Sequence, residues 1–237
     1  MKTMNKLLLC ILLMLFTSKN FAQEFSLNTD FVNRYIWRGL DLGGDAPSIQ
    51  PNIKLTISNF TIGFWGAYPI FKDAALNEID IYATYSFSLS NAGSISFGLT
   101  DYTNPDNGVK FFNFANHDSH NGPGAHSIEF NANYTGPENF PLTLSANIFV
   151  HNVANNPIYL QLGYATNLNG VGINLFIGAT PGDENSYYLT NKFNIINAGF
   201  TVSKTLSITS EFNLPIFGSI ILNPSQENIF YVIGITL

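Results

Sequence analysis

The run Asn33-Arg34-Tyr35-Ile36-Trp37-Arg38-Gly39 sets two arginines four residues apart, in phase with Asp30. Side chains alternate along an extended strand. Asp30, Arg34 and Arg38 would therefore share one face, and Phe25, Leu27, Thr29, Phe31, Tyr35 and Trp37 the other. Three later stretches repeat the pattern. Gln50, Asn52 and Lys54 alternate with Ile49, Ile53 and Leu55. Trp65 follows Thr61 and Gly63 opposite Phe60, Ile62 and Phe64. Glu78 and Asp80 alternate with Ile79 and Ile81. Guanidiniums, carboxylates and an aromatic face fixed on the polar sides of neighbouring strands can select solutes by charge, as rings of side chains do in pores. The same groups can also lock a narrow interior with salt bridges, and the residue types alone leave both open.

Metal and covalent chemistry have weaker candidates. His117, Asp118, His120 and His126 lie in or beside a Gly/Asn-rich stretch, and His151 ends a later strand. Imidazoles with a carboxylate can hold zinc or copper, but this spacing fits no standard zinc pattern, so no metal is expected. Ser127 beside His126 is a close Ser/His pair at the start of a strand. Neighbours on a strand point to opposite faces, so the two cannot act as nucleophile and base. No catalytic residue and no cofactor are expected.

The N-terminal segment sets the compartment. Lys2 and Lys6 precede the apolar run Leu7–Phe16, which is too short to span a bilayer as a helix, and Ala22 offers a cleavage position. Residues 1–22 therefore read as a secretory signal peptide and 23–237 as the mature domain. Cys10, the only cysteine, lies within that signal and follows Leu9, where lipidation would need a small residue. The chain has 10 Lys+Arg against 16 Asp+Glu, and Lys2, Lys6 and Lys19 leave with the signal. The mature protein is strongly acidic, which excludes a basic surface for nucleic acid.

Positioning the charged faces falls to strands. Twelve are predicted from alternation and turn residues: Glu24–Arg38, Ser48–Ser58, Phe60–Tyr68, Glu78–Phe87, Ser94–Tyr102, Ser127–Thr135, Pro141–His151, Ile158–Thr166, Val171–Thr180, Thr190–Ser203, Leu206–Leu214 and Asn228–Leu237. The tenth slips phase at Ile195-Ile196, which predicts a β-bulge. Connections after even-numbered strands are short, Lys204-Thr205 among them. Those after odd-numbered strands are mostly longer, the longest running from about Thr103 to Ala125.

An even strand number, short connections on one side and both termini on that side describe an all-β, antiparallel up-and-down barrel in an outer membrane, with both termini periplasmic. A soluble two-sheet sandwich would alternate too. Its faces would not be nearly free of charge over all twelve strands. Leu142, Leu144, Ala146, Ile148 and Val150 are expected to face lipid.

Asp30, the block Asn33–Gly39, Pro47–Pro51, Gly63–Tyr68 and Asn77–Asp80 resemble the TorF-type porins, a family of exported bacterial barrels. His126–Glu129 and Phe140–Leu142 look like later landmarks of that family. The resemblance implies an outer-membrane barrel and a channel, with no solute named. Outer-membrane proteins commonly end in Phe, whereas this chain ends in Leu237 behind the apolar alternates Tyr231, Ile233 and Ile235.

Counting outward from each turn predicts the register. Asp30 is expected opposite Lys54, Arg34 opposite Gln50 to Asn52, Asn52 opposite Trp65, and Trp65 and Ala67 beside Asp80 and Glu78. The expected site is a lumen shelf of Asp30, Arg34, Arg38, Gln50, Asn52, Lys54, Trp65, Glu78 and Asp80. It would set the selectivity of a passive channel for small polar solutes. Outer-membrane lipid and the barrel assembly machinery are the expected partners. A structural or adhesion barrel with a plugged lumen is the alternative, and a lipid-modifying enzyme the more distant one.

Overall fold

A computed structural model describes residues 23–71 and 77–237. The expected signal peptide, and the turn centre expected near Asp73, lie outside them. Fourteen strands follow in chain order: β1 (Gln23–Val32), β2 (Ile36–Trp37), β3 (Leu40–Asp41), β4 (Ser48–Ile57), β5 (Phe60–Pro69), β6 (Glu78–Ser88), β7 (Ser94–Thr103), β8 (His126–Thr135), β9 (Leu142–His151), β10 (Ile158–Leu168), β11 (Val171–Thr180), β12 (Asn194–Ser207), β13 (Asn213–Asn223) and β14 (Asn228–Thr236). Twelve of these form a closed antiparallel barrel in sequential order, with β1 pairing both β4 and β14. The two-residue strands β2 and β3 make a separate hairpin.

Alternation dictates the two sides of the wall. Leu27, Phe64, Leu99, Leu144, Leu162 and Ile233 are exposed on the exterior. The lumen face carries hydroxyls and amides that bond across strands, such as Thr56 with Thr61 (3.0 Å), Thr201 with Ser219 (2.8 Å) and Tyr82 with Asn52 (3.0 Å). The bulge expected at Ile195-Ile196 is present. Gly178 pairs with Asn197 and Ala179 with Ile195, so Ile196 is the extra residue and is fully buried.

Three sequence expectations are corrected. The first strand does not run to Arg38 but leaves the wall after Val32. Asn33 makes the break: its side chain accepts from Ile233 N (2.7 Å) and donates to Tyr231 O (3.1 Å), occupying the β14 groups a longer strand would have used. Residues 33–47 then fold inward. Arg38 and Gly39 form the turn between β2 and β3, both with positive φ (50° and 77°), the left-handed pair that suits a tight hairpin. A Cβ on Gly39 would collide with the carbonyl of Ile196.

The second correction concerns the turn expected at Lys204-Thr205. β12 continues through both residues, with Lys204 exposed opposite Val171 and Ile216. The chain reverses at residues 208–212, where the Thr209 hydroxyl accepts from Glu211 N and Phe212 N. That side-chain turn moves the following strand from Leu206–Leu214 to Asn213–Asn223.

The third is register. Asp30 stands opposite Gln50, and Lys54 opposite Ser26, because residues 33–47 are not a symmetric loop about Gly43. The pairs Asn52–Trp65, Trp65–Asp80 and Ala67–Glu78 are as expected.

Candidate functional site

The inward hairpin crosses the lumen near the end that carries the long connections. At its tip Arg38 meets the opposite wall. Its Nη1 and Nη2 donate to Oε1 and Oε2 of Glu129 on β8, at 2.6 and 2.8 Å, and Nη1 also donates to the Tyr188 hydroxyl at 2.7 Å. The guanidinium carbon lies 4.4 Å from the Trp37 ring centroid and 4.5 Å from that of Tyr159. Glu129 has 0% exposure and accepts two further bonds, from Tyr102 Oη (3.0 Å) and Asn131 Nδ2 (2.8 Å).

The network continues around the wall. Asn131 donates to Asn147, Tyr159 donates to Gln161, and Asn197 donates to the Tyr159 hydroxyl. Burial opposes the Arg38 charge, but the Glu129 carboxylate together with Tyr188 and Tyr102 outweighs it and holds the guanidinium above its ordinary pKa. Burial raises the Tyr188 phenol, with Arg38 acting against it, so this group stays neutral while it bonds to Arg38. A buried charge pair is tolerable only with such geometry and with its remaining lone pairs satisfied.

The segment between β11 and β12 adds Tyr187 and Tyr188. Tyr159, Tyr188 and Ile196 form a buried cluster inside the barrel, with Trp37, Leu40 and Tyr187 packed on it. Asn223 Nδ2 donates to Gly39 O at 3.1 Å, fixing the hairpin turn to β13. The hairpin separates two recesses at this end of the barrel. One, of about 350 Å³, is lined by Trp37, Glu78, Tyr102, Asn104, Ser127 and Tyr187. The other, of about 570 Å³, is lined by Asp41, Leu42, Gln226, Asn228 and Phe230 among others.

The expected shelf is therefore split. Gln50, Asn52, Trp65, Glu78 and Asp80 do lie together on β4, β5 and β6. Asp30 is on the lumen face of β1 but accepts from Thr236 Oγ1 (2.6 Å). Among the described residues no carboxylate lies within ion-pair distance of Lys54. The arginines go elsewhere, because they belong to the hairpin and not to the wall. Arg34 does pair with acids, but these are Asp41 (3.5 Å) and Asp45 of its own segment, and its guanidinium lies 6.0 Å from the Phe230 ring. Tyr35, not Arg34, packs on Trp65, with centroids 5.3 Å apart.

Glu129, Tyr102, Tyr159 and Tyr188 were missing from the expected site. The signal for Glu129 was present: it is the one acid on the polar face of β8, where burial demands a cation.

The histidines do not converge. Asp101 and His126 bond at 2.7 Å on the barrel exterior, where His126 stacks on Phe114 (4.1 Å) and its Nε2 donates to Phe111 O (2.6 Å). His117 contacts Asn116, and His151 stands opposite Ile128. Among the described residues no group of three or more His, Cys, Asp or Glu is placed to hold a metal. Ser127 lines the smaller recess, on the other side of the wall from His126.

A family model described as "Bacterial protein of unknown function (Gcw_chp)" matches residues 18–190. The chain belongs to the Gcw_chp family. No curated protein and no solved structure matches it. The Gcw_chp match takes in Arg38, Glu129 and Tyr188, so the cross-lumen contact lies wholly inside the family region, whereas β12 to β14 lie beyond it.

Proposed function

We propose that this barrel spans an outer membrane, with the short turns and both termini on the periplasmic side, and conducts small polar solutes passively. The hairpin of residues 33–47 closes the channel at rest. The exposed apolar exterior supports membrane insertion, since a sheet surface of that composition is stable only when lipid covers it. Closure of the barrel supports it too, because it leaves no unpaired strand edge in hydrocarbon. The alternating apolar residues of β14 suit recognition by the barrel assembly machinery. The resemblance to TorF-type porins points the same way.

The observation that carries the channel reading is a hairpin that lies inside the barrel without being part of its wall, its tip held by polar contacts of Arg38 with Glu129 and Tyr188 and of Gly39 with Asn223. Glu78 and Asp80, without a basic partner among the described residues, would make such a channel prefer cations. Reversal potentials in a salt gradient test this in folded Arg38→Ala, where the hairpin is released: that channel should be cation-selective, and adding Glu78→Gln with Asp80→Asn should remove the preference.

The second reading is a structural or surface barrel that stays plugged. It is favoured by the aromatic cluster of Tyr159, Tyr188 and Trp37, which fills lumen space with apolar contact. Absence of conductance from the folded wild type and from variants with the hairpin released would decide for it.

A further inference from the structure

The smaller recess has a composition that narrows its occupant. Glu78 is nine-tenths buried and is its one charged lining residue. Two residues along the same face, Asp80 is 6% exposed, and its Oδ1 has no hydrogen-bond partner. Among the described residues no Lys, Arg or His lies within ion-pair distance of either carboxylate. The arginines nearby are committed, Arg38 to Glu129 and Arg34 to Asp41 and Asp45.

The rest of the recess carries no charge, and three of its lining residues are aromatic. Trp37 comes from the hairpin, Tyr102 from β7 and Tyr187 from the segment before β12. The rim is already formed. Asp106 holds the side chain of Asn77 at 2.6 Å, and Asn104 donates to Asn77 O at 3.3 Å, tying the connection after β7 to the start of β6. The volume of about 350 Å³ is in the range of small-molecule sites. Among the described residues an anion would meet Glu78 with no opposing cation, and a neutral ligand would leave the buried carboxylate without a counter-charge. A cation with an apolar coat meets both the acid and the aromatic walls.

We propose that this recess binds a small organic cation of the ammonium class, held by Glu78 and surrounded by Trp37, Tyr102 and Tyr187. If the channel reading holds, this names the class of solute that enters it, and the site itself rests only on the recess.

Choline is the probe, with its neutral isostere 3,3-dimethylbutanol as the control. Binding to the full mature protein in detergent micelles is measured by titration calorimetry. Choline should bind saturably to wild type, and both replacement of choline by the isostere and Glu78→Gln should weaken binding about tenfold or more. The isostere comparison needs no variant, so it stands even where Glu78→Gln fails to fold. No saturable choline binding, equal binding of the isostere, or an unchanged affinity in folded Glu78→Gln would overturn the proposal. Permeation plays no part in this measurement. Binding without conductance keeps the site and removes the channel, whereas conductance without binding removes the site.

Discussion

Arg38 and Glu129, 91 residues apart in the chain, face each other across the lumen with two nitrogens on two oxygens at 2.6 and 2.8 Å. No neighbouring-strand register joins them. The contact exists because a hairpin leaves the wall after Val32 and reaches the far side of the barrel.

Removing one member strands the other in a buried site. Arg38→Ala or Glu129→Ala should each destabilise the folded barrel by about 3–5 kcal/mol, whereas replacing both by well-packed apolar residues should cost much less. Reversible unfolding in micelles, run as a double-mutant cycle, measures the coupling.

Arg34 provides the contrast. Its side chain is 26% exposed and its partners Asp41 and Asp45 are 26% and 94% exposed, so solvent reaches both pairs. Arg34→Ala should change stability by no more than about 1 kcal/mol. It should also leave the reversal potential of any channel unchanged, because Arg34 does not oppose Glu78 or Asp80. A shift toward cation selectivity in this variant would show that Arg34 reaches the conducting path.

The barrel wall was largely legible in the sequence and the inward hairpin was not. From β4 to β11 the strands lie close to where alternation and turn residues set them, because each has one apolar side and clear punctuation. The bulge at Ile196 was visible as a phase slip. β1 was overextended because Arg34, Ile36 and Arg38 keep period two after the strand has ended, and nothing in the alternation shows that Asn33 has replaced the ladder. Lys204 lies within β12 and not in a turn, because an exterior position near a barrel's rim tolerates charge. Register counting reaches only neighbouring strands, so it sets Arg34 opposite Gln50 to Asn52, on one shelf with Glu78 and Asp80, and cannot find Glu129.

Leu144 tests the exterior. It is exposed on β9 among apolar neighbours, opposite Tyr134 and Leu162. Leu144→Arg should lower stability in a bilayer by about 2–4 kcal/mol, near the midplane value for a lipid-facing arginine. Equilibrium folding into vesicles reads this directly, and an unchanged free energy would mean that hydrocarbon does not cover β9.

The most direct test of the central claim is the conductance of purified protein in a planar bilayer, compared between wild type and Arg38→Ala. With the lumen closed as proposed by the hairpin that Arg38 holds, the wild type should conduct weakly or not at all, and folded Arg38→Ala should open a larger, stable conductance. Equal conductance in the two, with the variant folded, would contradict closure by this hairpin.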